Sequence, residues 1–185
     1  MARGYNTFGN VYKKLDRMEP AIENYQRAIK LNPDYVPAYY NLGLAYYELG
    51  RTELAIENYH RAIELKPDYA LAYNNLGVAY GRLGRMDEAI EELQKAIRFE
   101  SDYALAYNNL GVAYGKLGRI DEAIVEFQKA LRLKPEDAGI HYDLGFAYEK
   151  KGLKAEAMKE YAAVVRINPN FTEARRGIDR MRGKP

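Results

Sequence analysis

Residues 69–90 read YALAYNNLGVAYGRLGRMDEAI, and residues 103–124 read YALAYNNLGVAYGKLGRIDEAI. The two stretches differ only at Arg82/Lys116 and Met86/Ile120, and they lie 34 residues apart. A fixed period of about 20–50 residues marks supersecondary units that stack along one direction. The offset runs both ways along the chain. Tyr39-Tyr40-Asn41-Leu42-Gly43 precedes Tyr73-Asn74-Asn75-Leu76-Gly77, and Tyr107-Asn108-Asn109-Leu110-Gly111 follows it. His141-Tyr142-Asp143-Leu144-Gly145 is an altered copy, and Tyr5-Asn6-Thr7-Phe8-Gly9 a divergent first one. Units at 2–35, 36–69, 70–103, 104–137 and 138–171 cover nearly the whole chain, and 172–185 remains as a terminal segment.

Each unit reads as two helices. The first begins near Pro37, Leu71 or Leu105 and ends at Gly50, Gly84 or Gly118, where glycine accommodates the left-handed residue that commonly closes a helix. The second carries Glu53, Asp87-Glu88 or Asp121-Glu122 in its first turn, which suits the positive end of the helix dipole. It stops before Pro67, Pro135 or Pro169, because proline disfavours helix in the residue ahead of it. Tyr73, Leu76, Gly77 and Tyr80 fall on one helical stripe, as do Ala89, Leu93 and Ala96. Gly77 and Ala89 are small where the two backbones should cross closely, and Tyr35, Tyr69, Tyr103 and Phe171 recur at the unit boundaries.

These positions resemble the tetratricopeptide repeat family over residues 2–171: Tyr73, Leu76-Gly77, Tyr80, Gly84, Ala89, Leu93 and Ala96 recur in register, with a closing proline in four units. His141 in place of the aromatic, Val164 in place of alanine and Asp16 in place of the turn glycine are the departures. The resemblance implies an all-α solenoid, a right-handed superhelix of antiparallel helix pairs whose first helices line a concave groove. Residues 172–185 keep an apolar stripe of Ala174, Ile178 and Met181 among Arg175, Arg176, Arg180, Arg182 and Lys184, which suits a solvated capping helix.

Composition narrows the function. Net charge is +2, too small to suggest nucleic acid, and no run of about 18 apolar residues is present to insert into a membrane. The N-terminus MARGYNTFGN lacks the apolar segment of a secretory signal, and the absence of cysteine fits the cytoplasm. His60 and His141 stand in different units without an acid or nucleophile at fixed spacing, so the reading is of a protein that is not an enzyme and needs no cofactor or metal. Gly111-Val-Ala-Tyr-Gly115-Lys116 is one residue short of a phosphate loop and lies inside a helix.

What remains is the inner surface that the resemblance implies. Asn41, Asn75 and Asn109 form a ladder, one rung per unit, beside Asn74 and Asn108. A side-chain amide both donates and accepts, so a rung can meet a peptide backbone; equally, it can support its own helix or a neighbour. Leu71, Val78, Leu105 and Val112 make an apolar floor with hollows at Gly81 and Gly115, and Arg82, Lys116, Tyr40 and Tyr47 border it. The lysine-rich clamp with which some family members hold acidic C-termini is incomplete: Asn10 and Asn41 match it, whereas Asn6, Leu71 and Asn75 replace basic residues. The expectation is a scaffold or adaptor that binds an extended peptide or partner helix. A substrate-recruiting segment of a larger enzyme and a self-assembling scaffold, a homo-oligomer, stay open beside it.

Overall fold

The computed structural model describes residues 1–183. Lys184, counted above among the cationic residues of the cap, lies outside them, as does the end of the 172–185 segment. Every regular element among the described residues is an α-helix. Contacts divide the chain into two compact units, Met1–Glu100 and Ser101–Pro185. Unit 1 holds α1 (Ala2–Lys14), α2 (Met18–Leu31), α3 (Val36–Glu48), α4 (Thr52–Leu65), α5 (Ala70–Arg82) and α6 (Met86–Phe99). Unit 2 holds α7 (Ala104–Lys116), α8 (Ile120–Leu133), α9 (Ala138–Lys151), α10 (Lys154–Ile167) and α11 (Thr172–Met181). Within each unit, every helix packs on the one before it and the one after it, as antiparallel hairpins joined by short turns require.

The turns follow from the glycines. Gly50, Gly84, Gly118 and Gly152 all have φ between +74° and +80°, a conformation that an L side chain rarely adopts. Asp16 holds the same place in the first hairpin with φ 55°, and aspartate is one of the few other residues that enter this region.

Inside each hairpin a glycine of the first helix receives a large side chain of the second. A Cβ on Gly43 would stand 2.6 Å from the Tyr59 ring, and one on Gly111 would stand 2.6 Å from Phe127. At Gly77 it would meet Leu93 at 2.7 Å and the Ala89 carbonyl oxygen at 2.9 Å, so the expected close crossing is present. Tyr25 and Tyr59 centre the core of unit 1, and Tyr161 that of the last hairpin of unit 2. Burial, with Glu48 nearby, raises the Tyr25 hydroxyl to about 12, while its O–H donates to Asn10 Oδ1 at 2.8 Å. The Tyr69 ring lies tilted 5.1 Å from that of Tyr40, and the Phe171 ring tilted 5.0 Å from that of Tyr142, so these boundary aromatics fill the joints between hairpins.

The terminal helix α11 seats on α10 as a first helix would. Gly177 opens space for one edge of the Tyr161 ring, and Gly145 of α9 does so for the opposite edge. The Tyr161 O–H donates to Glu149 at 2.6 Å, and Arg180 of α11 clasps the same carboxylate with two bonds of 2.9 Å. That clasp holds the Glu149 carboxyl below its ordinary range.

Candidate ligand-binding surface

The asparagines sit on one repeated diagonal. Asn41 Nδ2 donates to Asn6 Oδ1 at 2.9 Å, and Asn75 Nδ2 donates to the Tyr40 hydroxyl at 2.9 Å. In unit 2, Asn108 Nδ2 donates to Asp143 Oδ2 at 3.2 Å. Each bond spans 35 residues, from one first helix to the next, so the ladder staples consecutive repeats in register. One N–H of Asn41 and one of Asn75 are therefore committed within the chain, so each rung serves packing first. Asn74 is only 1 % exposed and donates to Asn75 Oδ1 at 3.3 Å; it is enclosed, not part of an open surface. Asn109 lies half-buried on α7 at the place that Asn75 has on α5.

The bordering residues divide similarly. Arg82 Nη1 donates to the Tyr47 carbonyl at 2.8 Å while its guanidinium lies 4.9 Å over the Tyr47 ring, so it braces α5 against α3. Tyr40 is packed between Tyr59 and Tyr69, and burial raises its hydroxyl. Leu71 and Leu105 are exposed, and Val78 and Val112 are half-buried. In unit 1, Leu71 and Val78 share α5 with Gly81, where an added Cβ would meet only Ala89, at 3.9 Å.

Unit 2 has a hollow of about 620 Å³, within the usual range for a ligand site. Val112 and Gly115 of α7, Ile120 and Phe127 of α8, and Tyr142, Phe146 and Ala147 of α9 form its floor and walls, with Lys116 and Lys150 at the rim. It exists because Gly115 has no side chain: a Cβ there would find only Ala123, at 4.0 Å. Phe146 stands 43 % exposed at its edge with the Lys150 ammonium 5.1 Å from its ring centroid. A smaller hollow of about 170 Å³ beside it is bounded by Leu105, Asn108, Lys134, Ile140 and Asp143. Asp143 borders both. Burial raises its carboxyl above the ordinary value, the bond from Asn108 opposes that shift, and Asp137 adds to it. The other amide atom, Asn108 Oδ1, is buried without a hydrogen-bond partner.

Phe127 and Ile120, both of α8, are absent from the inner-surface residues expected from sequence, whereas Phe146 belongs to them. The repeat already carried the signal for Phe146, which falls 34 residues after Val112. His141 has an acid after all: Nδ1 lies 2.6 Å from Glu160 on α10, while Nε2 faces the Pro135 carbonyl at 2.9 Å. Both ring nitrogens are thus tied into the packing of α9. His60 contacts the Tyr80 hydroxyl at 2.9 Å. Among the described residues no cluster of acids and histidines could hold a metal ion, and no helix is long and apolar enough to cross a membrane.

A family model described as a TPR repeat matches residues 9–50, 43–84, 82–118 and 116–152, and one described as a tetratricopeptide repeat matches 138–171. None of the curated proteins matches the chain. Among solved structures, one of MamA protein is 30 % identical with a TM-score of 0.78, covering 93 % of this chain and 94 % of that one. A second MamA structure is 31 % identical with a TM-score of 0.79, covering 89 % and 96 %. A thermophilic TPR protein of Thermus thermophilus is 26 % identical with a TM-score of 0.78, covering 98 % of both chains. The matching models describe repeats and not a catalytic domain, and stacked repeats of this kind are protein–protein interaction scaffolds. With helix pairs, turn glycines and the 34-residue register all in place, the chain belongs to the tetratricopeptide repeat family.

Proposed function

We propose that the chain is an adaptor that holds an extended peptide or a partner helix against its first helices, anchored in unit 2 by an apolar side chain. The observation that carries this reading is the hollow framed by Val112, Gly115, Phe127 and Phe146. It offers an apolar floor to an aliphatic or aromatic residue, and Lys116 and Lys150 at the rim suit a carboxylate next to that residue. Burial of one such side chain supplies about 1.5–3 kcal/mol, roughly 10- to 100-fold in affinity. Leu105, exposed on α7 of the same unit, adds apolar contact.

Peptides selected from a random library on the full chain, then measured by calorimetric titration, test this. Gly115→Leu fills the hollow without a clash at its Cβ. It should weaken the selected peptides by about tenfold or more and leave the melting temperature nearly unchanged. If every selected peptide binds Gly115→Leu as well as the parent, the anchor lies elsewhere.

A further inference from the structure

The repeat itself reveals an uncovered face at α1. In later hairpins, three positions of the first helix are sealed by the preceding second helix. On α3 they are Ala38, Leu42 and Ala45, facing α2; on α9 they are Ile140, Leu144 and Ala147, facing α8. All six are less than 5 % exposed. The same positions on α1 are Gly4, Phe8 and Val11. Phe8 is 58 % and Val11 49 % exposed, and a Cβ on Gly4 would meet nothing within 4 Å. Leu15, one turn on, is exposed as well.

Two polar contacts accompany that seal. Gln26 on α2 donates to the Tyr46 hydroxyl at 3.2 Å, Gln128 on α8 donates to Tyr148 at 2.9 Å, and His60 on α4 meets Tyr80 at 2.9 Å. The repeat places Tyr12 at this position of α1, where its hydroxyl has no hydrogen-bond partner among the described residues. An acid in the first turn of the second helix also reaches the turn that closes the next first helix: Glu19 lies 3.7 Å from Arg51, and Asp121 pairs at 2.5 Å with Lys151, two residues before the place equivalent to Arg51. Arg17 stands 34 residues before Arg51 and is exposed.

We propose that the outer face of α1 is a docking site for a separate amphipathic helix of second-helix type. Its occupant carries a carboxylate in the first turn for Arg17, a glutamine or histidine seven residues later for Tyr12, and between them an apolar stripe for Phe8 and Val11. The charge is complementary: α1 has no acid, and Arg3, Lys14 and Arg17 surround the stripe. For the same reason a second copy of α1 is the poorer occupant, since it would set these cations against one another.

The chain supplies its own probe. A labelled peptide of residues 119–134, with Asp121 and Gln128 in the required places, is titrated into the full chain by fluorescence anisotropy. Saturable binding is expected. Phe8→Glu or Val11→Glu should weaken it tenfold or more with helix content unchanged, because both side chains already face solvent. A peptide carrying Asp121→Lys and Gln128→Ala should bind several-fold less well. Gly115→Leu in the chain should leave the titration where it was, and a loss there would assign the peptide to the hollow of unit 2 and overturn the proposal. Absence of saturation, or binding indifferent to Val11→Glu, overturns it too. So does dimerisation of the chain in sedimentation that Val11→Glu abolishes, which would give the face to a second copy.

Discussion

Asp143→Asn should stabilise the protein near neutral pH, although it removes a charge that already has a hydrogen bond. The wild-type carboxylate can only accept. Asn108 must therefore turn its N–H toward it, and Asn108 Oδ1 is left buried without a partner. An unsatisfied buried acceptor costs about 1–3 kcal/mol. Asparagine restores the amide pairing seen between Asn41 and Asn6, with one N–H available for Asn108 Oδ1, and the buried charge disappears. The expected gain is about 1–2 kcal/mol, or about 2–8 °C in melting temperature for a chain of this size. The advantage depends on pH. Burial raises the folded-state pKa of Asp143, so folding favours proton uptake there, and wild-type stability falls as pH climbs through that raised value. As pH drops through it, the protonated carboxyl can itself donate to Asn108 Oδ1. The gap between variant and wild type should therefore be full above the raised pKa and close toward the ordinary carboxylate value of about 3.9. Urea melts of both proteins across this range measure it. A variant no more stable near neutrality, or one whose advantage persists unchanged in acid, refutes the reasoning.

Gly77→Leu would push its Cβ into Leu93 and the Ala89 carbonyl; a loss of about 1–3 kcal/mol or more is expected in denaturant melts, and an unchanged midpoint would contradict the close crossing of α5 and α6. Gly177→Ala places a methyl 2.5 Å from the Tyr161 ring. Hydrogen exchange over residues 172–181 should then accelerate as α11 lifts, while exchange in unit 1 stays as it was. Asn75→Ala removes the staple to Tyr40 and should cost unit 1 about 0.5–1.5 kcal/mol, read by thermal melting; no loss would show the ladder to be dispensable for register. Double-stranded DNA should bind no better than weakly despite the exposed Arg175, Arg176 and Arg182, because net charge is only +2; tight binding that collapses with salt would contradict this.

The repeat period alone determined the helix pairs, their turn glycines and the face each helix buries. Those properties are local: a stripe at helical spacing must be covered, and a left-handed turn residue must be tolerated, whatever the neighbours do. The 34-residue recurrence of Gly43, Gly77 and Gly111 likewise marked where second helices press in. The asparagine ladder was visible as a row, but its meaning was not. Whether Asn41 meets a ligand or Asn6 depends on the offset between successive first helices, and a composition repeated in every unit does not encode that offset. His141 found Glu160 for the same reason, since the two are brought together only when α10 folds back on α9. The orphaned oxygen of Asn108 arose from one aspartate in a row of asparagines, and only the packing around it made that change costly. The hollow needed Gly115, Phe127 and Phe146 to converge from three helices, while the bare face of α1 emerged only by comparing identical repeat positions in different surroundings. Sequence periodicity fixes what each unit presents, and the stacking of units decides which of those groups meet a partner, because burial is a property of neighbours and not of the residue alone.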